Sequence, residues 1–412
     1  MAKNALRSHA AFPENPNWDI LTSRIVPRPH TADDDTRSPF MKDYTRILHS
    51  LAYRRLKHKT QVFFNVSNDH ICTRIEHVSH VESVSNIIAT NLGLNTELTR
   101  AIATGHDLGH APFGHEGEHI LKKLSMKYLG RNFWHEQNGV RFADKIELLE
   151  DKFLQHKNMN LTYAVRDGII CHCGEIDENQ LFPRTELCDL ESITSPGSVQ
   201  PATWEGCVVK LSDKIGYLGR DIADAITLGV LGDKELEVLS RIAKEHGEPA
   251  LNTTVIIEEM ITDVCEHSSP ERGITMSREH MALLNEIKKF NYANIYESPR
   301  LMPFRRYASL ILTEMFDALL SRYAGPNTIR VLFEESKTYP MLFGEFARYI
   351  AKYTTLDISA FPWGERIANG YSNEKIYGNL ETKEIYIQAV LDYLSGMTDS
   401  YAIRLFQELI NI

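Results

Sequence analysis

Thirteen consecutive residues, 106–118, read His-Asp-Leu-Gly-His-Ala-Pro-Phe-Gly-His-Glu-Gly-Glu and hold three histidines and three carboxylates. An imidazole next to a carboxylate, as at His106 and Asp107, offers one nitrogen and one oxygen to a single divalent ion. His77 stands one helix length upstream, while His110, His115 and Glu118 would be left for proton transfer nearby. Neighbours on a helix point about 100° apart, so His106 and Asp107 reach one ion only over their shared edge. A fourth ligand is needed, and Asp213 is the best candidate. It lies in WEGCVVKLSDKIGYLGRDIADAI, whose Val208, Leu211, Ile215, Leu218, Ile222 and Ile226 form an apolar side. Asp213, Tyr217 and Arg220 fall at i, i+4 and i+7 on a different stripe. That stripe reads either as a solvated face or as one wall of a metal-and-phosphate pocket. Two imidazoles and two carboxylates leave positions open for water and substrate, and suit Mn, Fe, Zn or Mg-like ions better than a closed zinc site does.

The pattern around these residues is helical, and runs with the alternation of strands are scarce. Phe40, Tyr44, Ile47, Leu48, Leu51 and Leu56 keep helical spacing across 39–58, as do Val81, Val84, Ile87, Ile88 and Leu92 across 77–92. Gly93 is a natural C-cap, and Asn95 a natural N-cap for a helix carrying Leu98, Ile102 and His106. Gly109, Pro112 and Gly114 crowd a short span, so that helix fails near 109 and another restarts near Glu116 and runs through Tyr128. A loop is expected at 191–203, a long helix at 205–229, and further helices at 234–246, 254–266, 276–290, 305–323, 327–336, 340–353 and 381–412. The expected class is all-α.

The 412 residues, 43% of them hydrophobic, can bury a large core, and the formal charge of -10 argues against a surface that binds nucleic acid throughout. No apolar stretch approaches the roughly 18–20 residues needed to cross a bilayer. The first residues lack the pattern of a secretory signal, so a soluble cytoplasmic protein without membrane contact is expected. Six cysteines over this length do not resemble a disulfide framework. Cys171-His172-Cys173 lacks the second, matching pair of a structural zinc site and reads as buried or half-buried thiols near a helix end.

Taken together, Arg74-Ile-Glu-His77, GLNTELTRAIATGHDLGHAPFGHEGE and VVKLSDKIGYLGRDIADAI resemble the deoxynucleoside triphosphate triphosphohydrolases of the HD superfamily, including bacterial dGTPase-like proteins. RSPFMKDYTRILHSLAYRRLKHKTQVF at 37–63 and DYLSGMTDSYA at 392–402 are similar to further blocks of that family. The resemblance implies an N-terminal extension (1–36), an HD-domain helical core (37–230) and an additional C-terminal helical region packed on it (231–412). It implies a divalent metal ion, Mn, Mg or a related transition metal, on His77, His106, Asp107 and Asp213. His115 with Glu118 would transfer protons, His110 would assist at the phosphate, and His135 matches another active-site histidine. Arg74, Lys214, Tyr217 and Arg220 match positions that hold the triphosphate. Gln61 matches the reader of the sugar 3′-hydroxyl, and Tyr217 would lie against the sugar and exclude a ribose 2′-hydroxyl.

The implied reaction is hydrolysis of a dNTP at the α-phosphorus, to deoxynucleoside and tripolyphosphate, with base preference open. Relatives imply a homo-oligomer, tetramer or hexamer, with a possible activating dNTP at subunit contacts. One departure is visible: His80 stands where relatives carry a glutamate, and reads as a change in the surroundings of the site. Two alternatives stay open. One is a different HD-family nucleotide phosphohydrolase. The other is a regulator that binds nucleotides or single-stranded nucleic acid, for which Arg54, Arg55, Lys57 and Lys59 beside Tyr53 and His58 would supply a basic surface.

Overall fold

Side-chain caps and apolar spacing set the helix boundaries in the computed structural model of the protein. It describes residues 4–27, 36–63, 68–174, 180–247 and 253–411, with the side chains of 253–255 left out. The part of the expected N-terminal extension at 28–35 lies outside them. In chain order, the helices used below are α1 (Pro39–His49), α2 (Leu51–Leu56), α3 (Arg74–Leu92), α4 (Thr96–Gly105) and α5 (Gly114–Leu129). They continue with α6 (His135–Arg141), α7 (Tyr163–Cys171), α8 (Trp204–Thr227), α9 (Lys383–Ser395) and α10 (Asp399–Ile410). Strands among the described residues are confined to two short antiparallel pairs, Leu148–Glu150 with His156–Asn158 and Gln180–Leu181 with Ile274–Thr275. The class is all-α, as the helical period implies. None of the described helices is long and apolar enough to cross a membrane.

Several boundaries differ from the expected ones, each for a local reason. The stretch 39–58 is two helices, because Ser50 turns extended and its Oγ accepts from the Tyr53 N–H at 3.1 Å, capping α2. α3 starts at Arg74, where the Thr73 N–H donates to the Glu76 carboxylate at 2.7 Å, and Gly93 ends it at φ 78°. Asn95 Oδ1 accepts from Glu97 and Leu98 N–H, both at 3.1 Å, and so starts α4. The stretch 381–412 is again two helices, with Thr398 Oγ1 accepting from the Tyr401 N–H at 3.3 Å to begin α10. The expected 340–353 helix opens as a π-turn at Pro340–Gly344 before α-helical Glu345–Ala351. The predicted loop at 191–203 ends at Thr203, whose hydroxyl accepts from the Gly206 N–H at 3.1 Å and caps α8.

Two compact units interleave along the chain. The first takes Met1–Leu48, Gln61–Asp107 and Asn160–Pro303, and the second His49–Thr60, Leu108–Met159 and Phe304–Ile412. In the first, α3, α4, α7 and α8 pack on one another. Val81, Val84 and Ile88 of α3, Leu98 and Ile102 of α4, Ile169 of α7 and Val208, Ile215 and Leu218 of α8 are all buried there. Gly168 lets α7 approach α4 closely: a Cβ at that position would lie 2.5 Å from the Ile102 side chain. Glu205, fully buried at the start of α8, accepts from the N–H groups of Ala11 and Asn95, both at 2.9 Å, and ties the N-terminal segment to the unit.

In the second unit, α5 packs on α9, and the start of α2 is held by Glu147, which accepts from the Ala52 N–H at 3.0 Å and pairs with Arg55. The segment leading into α5 is pinned from several directions. Asp399 accepts from the Phe113 N–H at 2.9 Å through one oxygen and from the Thr60 N–H at 3.0 Å through the other. Lys59 is buried, and its ammonium donates to the carbonyls of His110 and Ser395. Phe113 can then hold φ 64°, a left-handed conformation costly for a residue with a side chain, and α5 begins two residues earlier than expected. The GMTDSYA run thus anchors this segment, with Asp399 as its hydrogen-bonding group.

Gly109 lies flush against α6. The Asn138 side-chain amide donates to its carbonyl at 2.7 Å, and a Cβ on Gly109 would fall 2.1 Å from both the Gly139 nitrogen and the His135 carbonyl oxygen. Backbone cannot yield as a side-chain tip can. Gly109→Ala should therefore lower unfolding free energy by roughly 3 kcal/mol, at the severe end for overpacking. Urea titration would measure this, and a loss below about 1 kcal/mol would show that the segment is not held as described.

Candidate functional site

α3 and α4 bring His77 and His106 together, as antiparallel neighbours a short turn apart. Their Nε2 atoms are 3.3 Å apart. Asp213 from α8 places Oδ1 3.0 Å from His77 Nε2 and 3.7 Å from His106 Nε2. Asp107, one residue past His106, sets Oδ1 3.4 Å from His106 Nε2, while its Oδ2 accepts from Arg74 Nη1 at 2.9 Å. His106 Nδ1 lies 2.6 Å from the Ala103 carbonyl, which can only accept, so this nitrogen carries the proton and Nε2 keeps a lone pair. All of these groups are buried except Asp213, which is slightly open.

The donor set fits one divalent ion. Bonds of about 2.1 Å in tetrahedral or octahedral geometry put neighbouring ligand atoms roughly 3.0–3.4 Å apart, close to the spacings here. Without a cation, the one proton that His77 Nε2 can carry is shared by two facing acceptors, Asp213 Oδ1 and His106 Nε2. Burial, the largest influence, pushes the Asp213 carboxyl up, but the His77 hydrogen bond and the neighbouring imidazoles outweigh it and hold the group well below the ordinary range.

The residues expected to bind substrate belong to the same unit, and three of them carry buried polar atoms with no hydrogen-bond partner, although Arg220 Nε lies 3.9 Å from Asp224. These are Gln61 Oε1, Arg74 Nε and Nη2, and Arg220 Nε. Such atoms are rare in folded proteins and mark places where a ligand or water completes the bonding. Arg74 is thus shared, since one nitrogen orders Asp107 and two are uncommitted. Tyr217 and Lys214 lie half-buried on the Asp213 side of α8. The Tyr217 hydroxyl is kept protonated by burial first and by the charge of Asp213 second. His80 is half-buried on α3; burial, with Arg220 and His77 nearby, pushes it down and favours the neutral ring.

The second unit gathers His110, His115, Glu118 and His135. The Glu118 carboxylate accepts from the His135 backbone N–H at 3.0 Å and lies 3.1 Å from His135 Nδ1. His110 stacks on His135, ring centroids 3.8 Å apart and 21° from parallel. His115 stands farther off, with Nδ1 4.0 Å from Glu118 and its side chain 70% exposed. The partner closest to Glu118 is therefore His135, seventeen positions away. Burial raises the Glu118 carboxyl, but His135, then His110 and His115, more than reverse this and keep it ionised.

Two groups were not among the expected site residues. His172, at the end of α7, is 1% exposed and meets His106 edge-on, centroids 4.9 Å apart. The flanking thiols of Cys171 and Cys173 are buried and half-buried, as expected, and the six cysteines are free. Asp221 is buried on α8, its Oδ2 accepting from the Tyr296 hydroxyl at 2.5 Å and its Oδ1 unpartnered. Continuing the Asp213–Tyr217 spacing by four more residues would have found it. The proposed basic surface is depleted, because Lys59 is buried on carbonyl oxygens and Arg55 is paired with Glu147.

Comparison with known proteins bears on this arrangement. The HD domain matches residues 74–218 and a phosphohydrolase-associated domain matches residues 274–337. A deoxyguanosinetriphosphate triphosphohydrolase-like protein of Clostridium tetani is 30% identical over 403 residues, covering 97% of this chain and 92% of the relative. A protein of the same description from Caldanaerobacter subterraneus is 31% identical over 377 residues, 91% of this chain and 86% of the relative. Another, from Desulfatibacillum aliphaticivorans, is 37% identical over 284 residues, 68% of this chain and 73% of the relative.

Burial, the chief cause, pushes Asp221 from the ordinary 3.8 up to about 7. Its folded form holds a proton that the unfolded chain releases, so its contribution to stability is best below about pH 4 and is lost as pH rises to about 7. Asp221→Asn removes that titration. The stability of the variant relative to wild type should rise between pH 5 and pH 8, by at most about 3 kcal/mol. Paired thermal melts across that range check this, and a pH-independent difference would contradict it.

Proposed function

Since the chain belongs to the HD-domain family of deoxyguanosinetriphosphate triphosphohydrolase-like proteins, we propose that it hydrolyses deoxynucleoside triphosphates to deoxynucleoside and tripolyphosphate. Membership makes it a phosphohydrolase; the dNTP substrate and its cleavage at the α-phosphorus are our reading. The observation that carries the reading is the buried set of His77, His106 and Asp213 atoms 3.0–3.7 Å apart, with Asp107 held beside it by Arg74. These four ligands would hold a divalent ion, which when bound supplies Lewis-acid polarisation of a phosphoryl oxygen. His80, in place of the usual glutamate, leaves all four intact.

The chain's own residues account for the rest. Water attacks the α-phosphorus, the bond to the sugar O5′ breaks, and a proton ends on that oxygen. His115 is the exposed imidazole able to move this proton, and Glu118, kept ionised against His135, sets the charge beside it. His110 stacks on His135 and stays fixed at the phosphate. Arg74, Lys214 and Arg220 neutralise the triphosphate, and Tyr217 packs against the sugar. The uncommitted oxygen of Gln61 suits the 3′-hydroxyl, a donor. By analogy with the family, the working form is a homo-oligomer, tetramer or hexamer, in which a second dNTP activates turnover.

Incubation of the Mn- or Mg-loaded protein with the four dNTPs, singly and mixed, tests this. Chromatography should show deoxynucleoside and tripolyphosphate in equal amounts, with faster turnover in mixtures if an activator acts. Inorganic phosphate or pyrophosphate as first product would point to another HD phosphohydrolase, and intact dNTPs to a binding protein. Asp107→Ala should lower turnover more than about 100-fold, since even residues that merely support a metal ligand cost 10–100-fold.

A further inference from the structure

The ligand set in our functional reading leaves out one imidazole, that of His172. Its Nδ1 lies 2.7 Å from the Ile169 carbonyl, and since a carbonyl only accepts, Nδ1 carries the proton. Nε2 then holds the lone pair, the tautomer in which histidine binds metals. His106 is locked in the same way by the Ala103 carbonyl. Its ring lies edge-on to His172, at an interplanar angle of 73°. Ligand atoms of His106, Asp107 and His172 lie within 4.8 Å of one another, as do those of His77, His106 and Asp213.

The two triads share His106, which has a single nitrogen to offer. They therefore surround one ion and not two. Ligands opposite each other on an ion with bonds of about 2.1 Å are about 4.2 Å apart, so this span closes onto one ion with shifts of a few tenths of an ångström. The position of His172 is built in by packing: Gly168 seats α7 against Ile102, and a Cβ on Gly105 would lie only 3.0 Å from Ile169, the residue whose carbonyl orients the ring.

The geometry points to His172 as a fifth protein ligand of the divalent ion, in a place that would otherwise fall to water. This inference rests on the metal assignment made above. Adding a third imidazole makes the site richer in nitrogen. That favours Fe, Co or Zn over Mg, which prefers oxygen and water.

Metal-free wild type, His172→Gln and His77→Gln, titrated with Co(II), test this without recourse to activity. The readouts are stoichiometry, Kd and the visible absorption of bound Co(II), followed by competition with Mg. Wild type should bind one Co(II) per chain. His172→Gln should still bind one, with Kd raised about 10–100-fold, an altered spectrum and weaker discrimination against Mg. His77→Gln should lose more than that. Wild-type Kd and spectrum in His172→Gln, with loss in His77→Gln, would overturn the role of His172 alone. Unchanged binding in both variants would instead overturn the ligand set. Two Co(II) per wild-type chain would refute the single-ion form. Circular dichroism and melting of the metal-free proteins establish folding, and His172→Asn serves if the Gln variant fails to fold.

Discussion

Two imidazole nitrogens and a carboxylate oxygen sit within 4 Å of one another in the first unit, screened from water on almost every side. Burial alone disfavours the carboxylate charge, and the imidazoles of His77 and His106 must be held at close range to outweigh it. The surrounding helices bear that cost. α3, the end of α4 and α8 each deliver a ligand, the Ala103 carbonyl fixes the ring of His106, and Arg74 absorbs the second oxygen of Asp107. Gln61, Arg74 and Arg220 are among the residues of this unit with buried polar atoms that lack a hydrogen-bond partner, and these are the atoms the proposed triphosphate substrate would engage.

Much of this was legible in the residues themselves. Histidine and aspartate at a helix end, a second histidine one helix upstream and an aspartate opposite an apolar stripe are local patterns, and the helical period placed their elements. The all-α class followed from the same period. What stayed hidden depended on long-range packing. His172 read as part of a thiol-flanked helix end, because its importance comes from how Gly168 and Gly105 seat α7 on α4, and no spacing records that. The resemblance paired Glu118 with His115, and the chain also folds His135 back onto it from seventeen residues away. Ser50 and Thr398 broke two helices within continuous apolar spacing, where a hydroxyl accepting the third residue's N–H outweighed propensity.

In the proposed function, proton handling falls to the second unit. It relies on one carboxylate, two stacked imidazoles and an exposed third, all carried on or beside a helix whose first turn starts from a left-handed phenylalanine. That conformation is tolerable only because Asp399 and Lys59 satisfy the backbone around it. The charges of Lys59 and Arg55, which in the bare sequence suggest a nucleic-acid surface, are instead structural. Fixed rings and a fixed carboxylate at the start of a helix cost little to reorganise during proton transfer, which is how rigid polar groups contribute to catalysis.

The bond between Asp399 and the Phe113 N–H spans 286 residues. During synthesis at about 5–20 residues per second, that gap corresponds to roughly 15 s to a minute. Throughout this interval α5 and its histidines exist, but the group that sets their entry geometry has not yet been made. The metal-ligand helices of the first unit, complete by about residue 227, can assemble well before then. The nascent chain is thus able to bring His77, His106 and Asp213 together while the entry geometry of α5 is still unset, and that geometry is fixed only once Asp399 has been made.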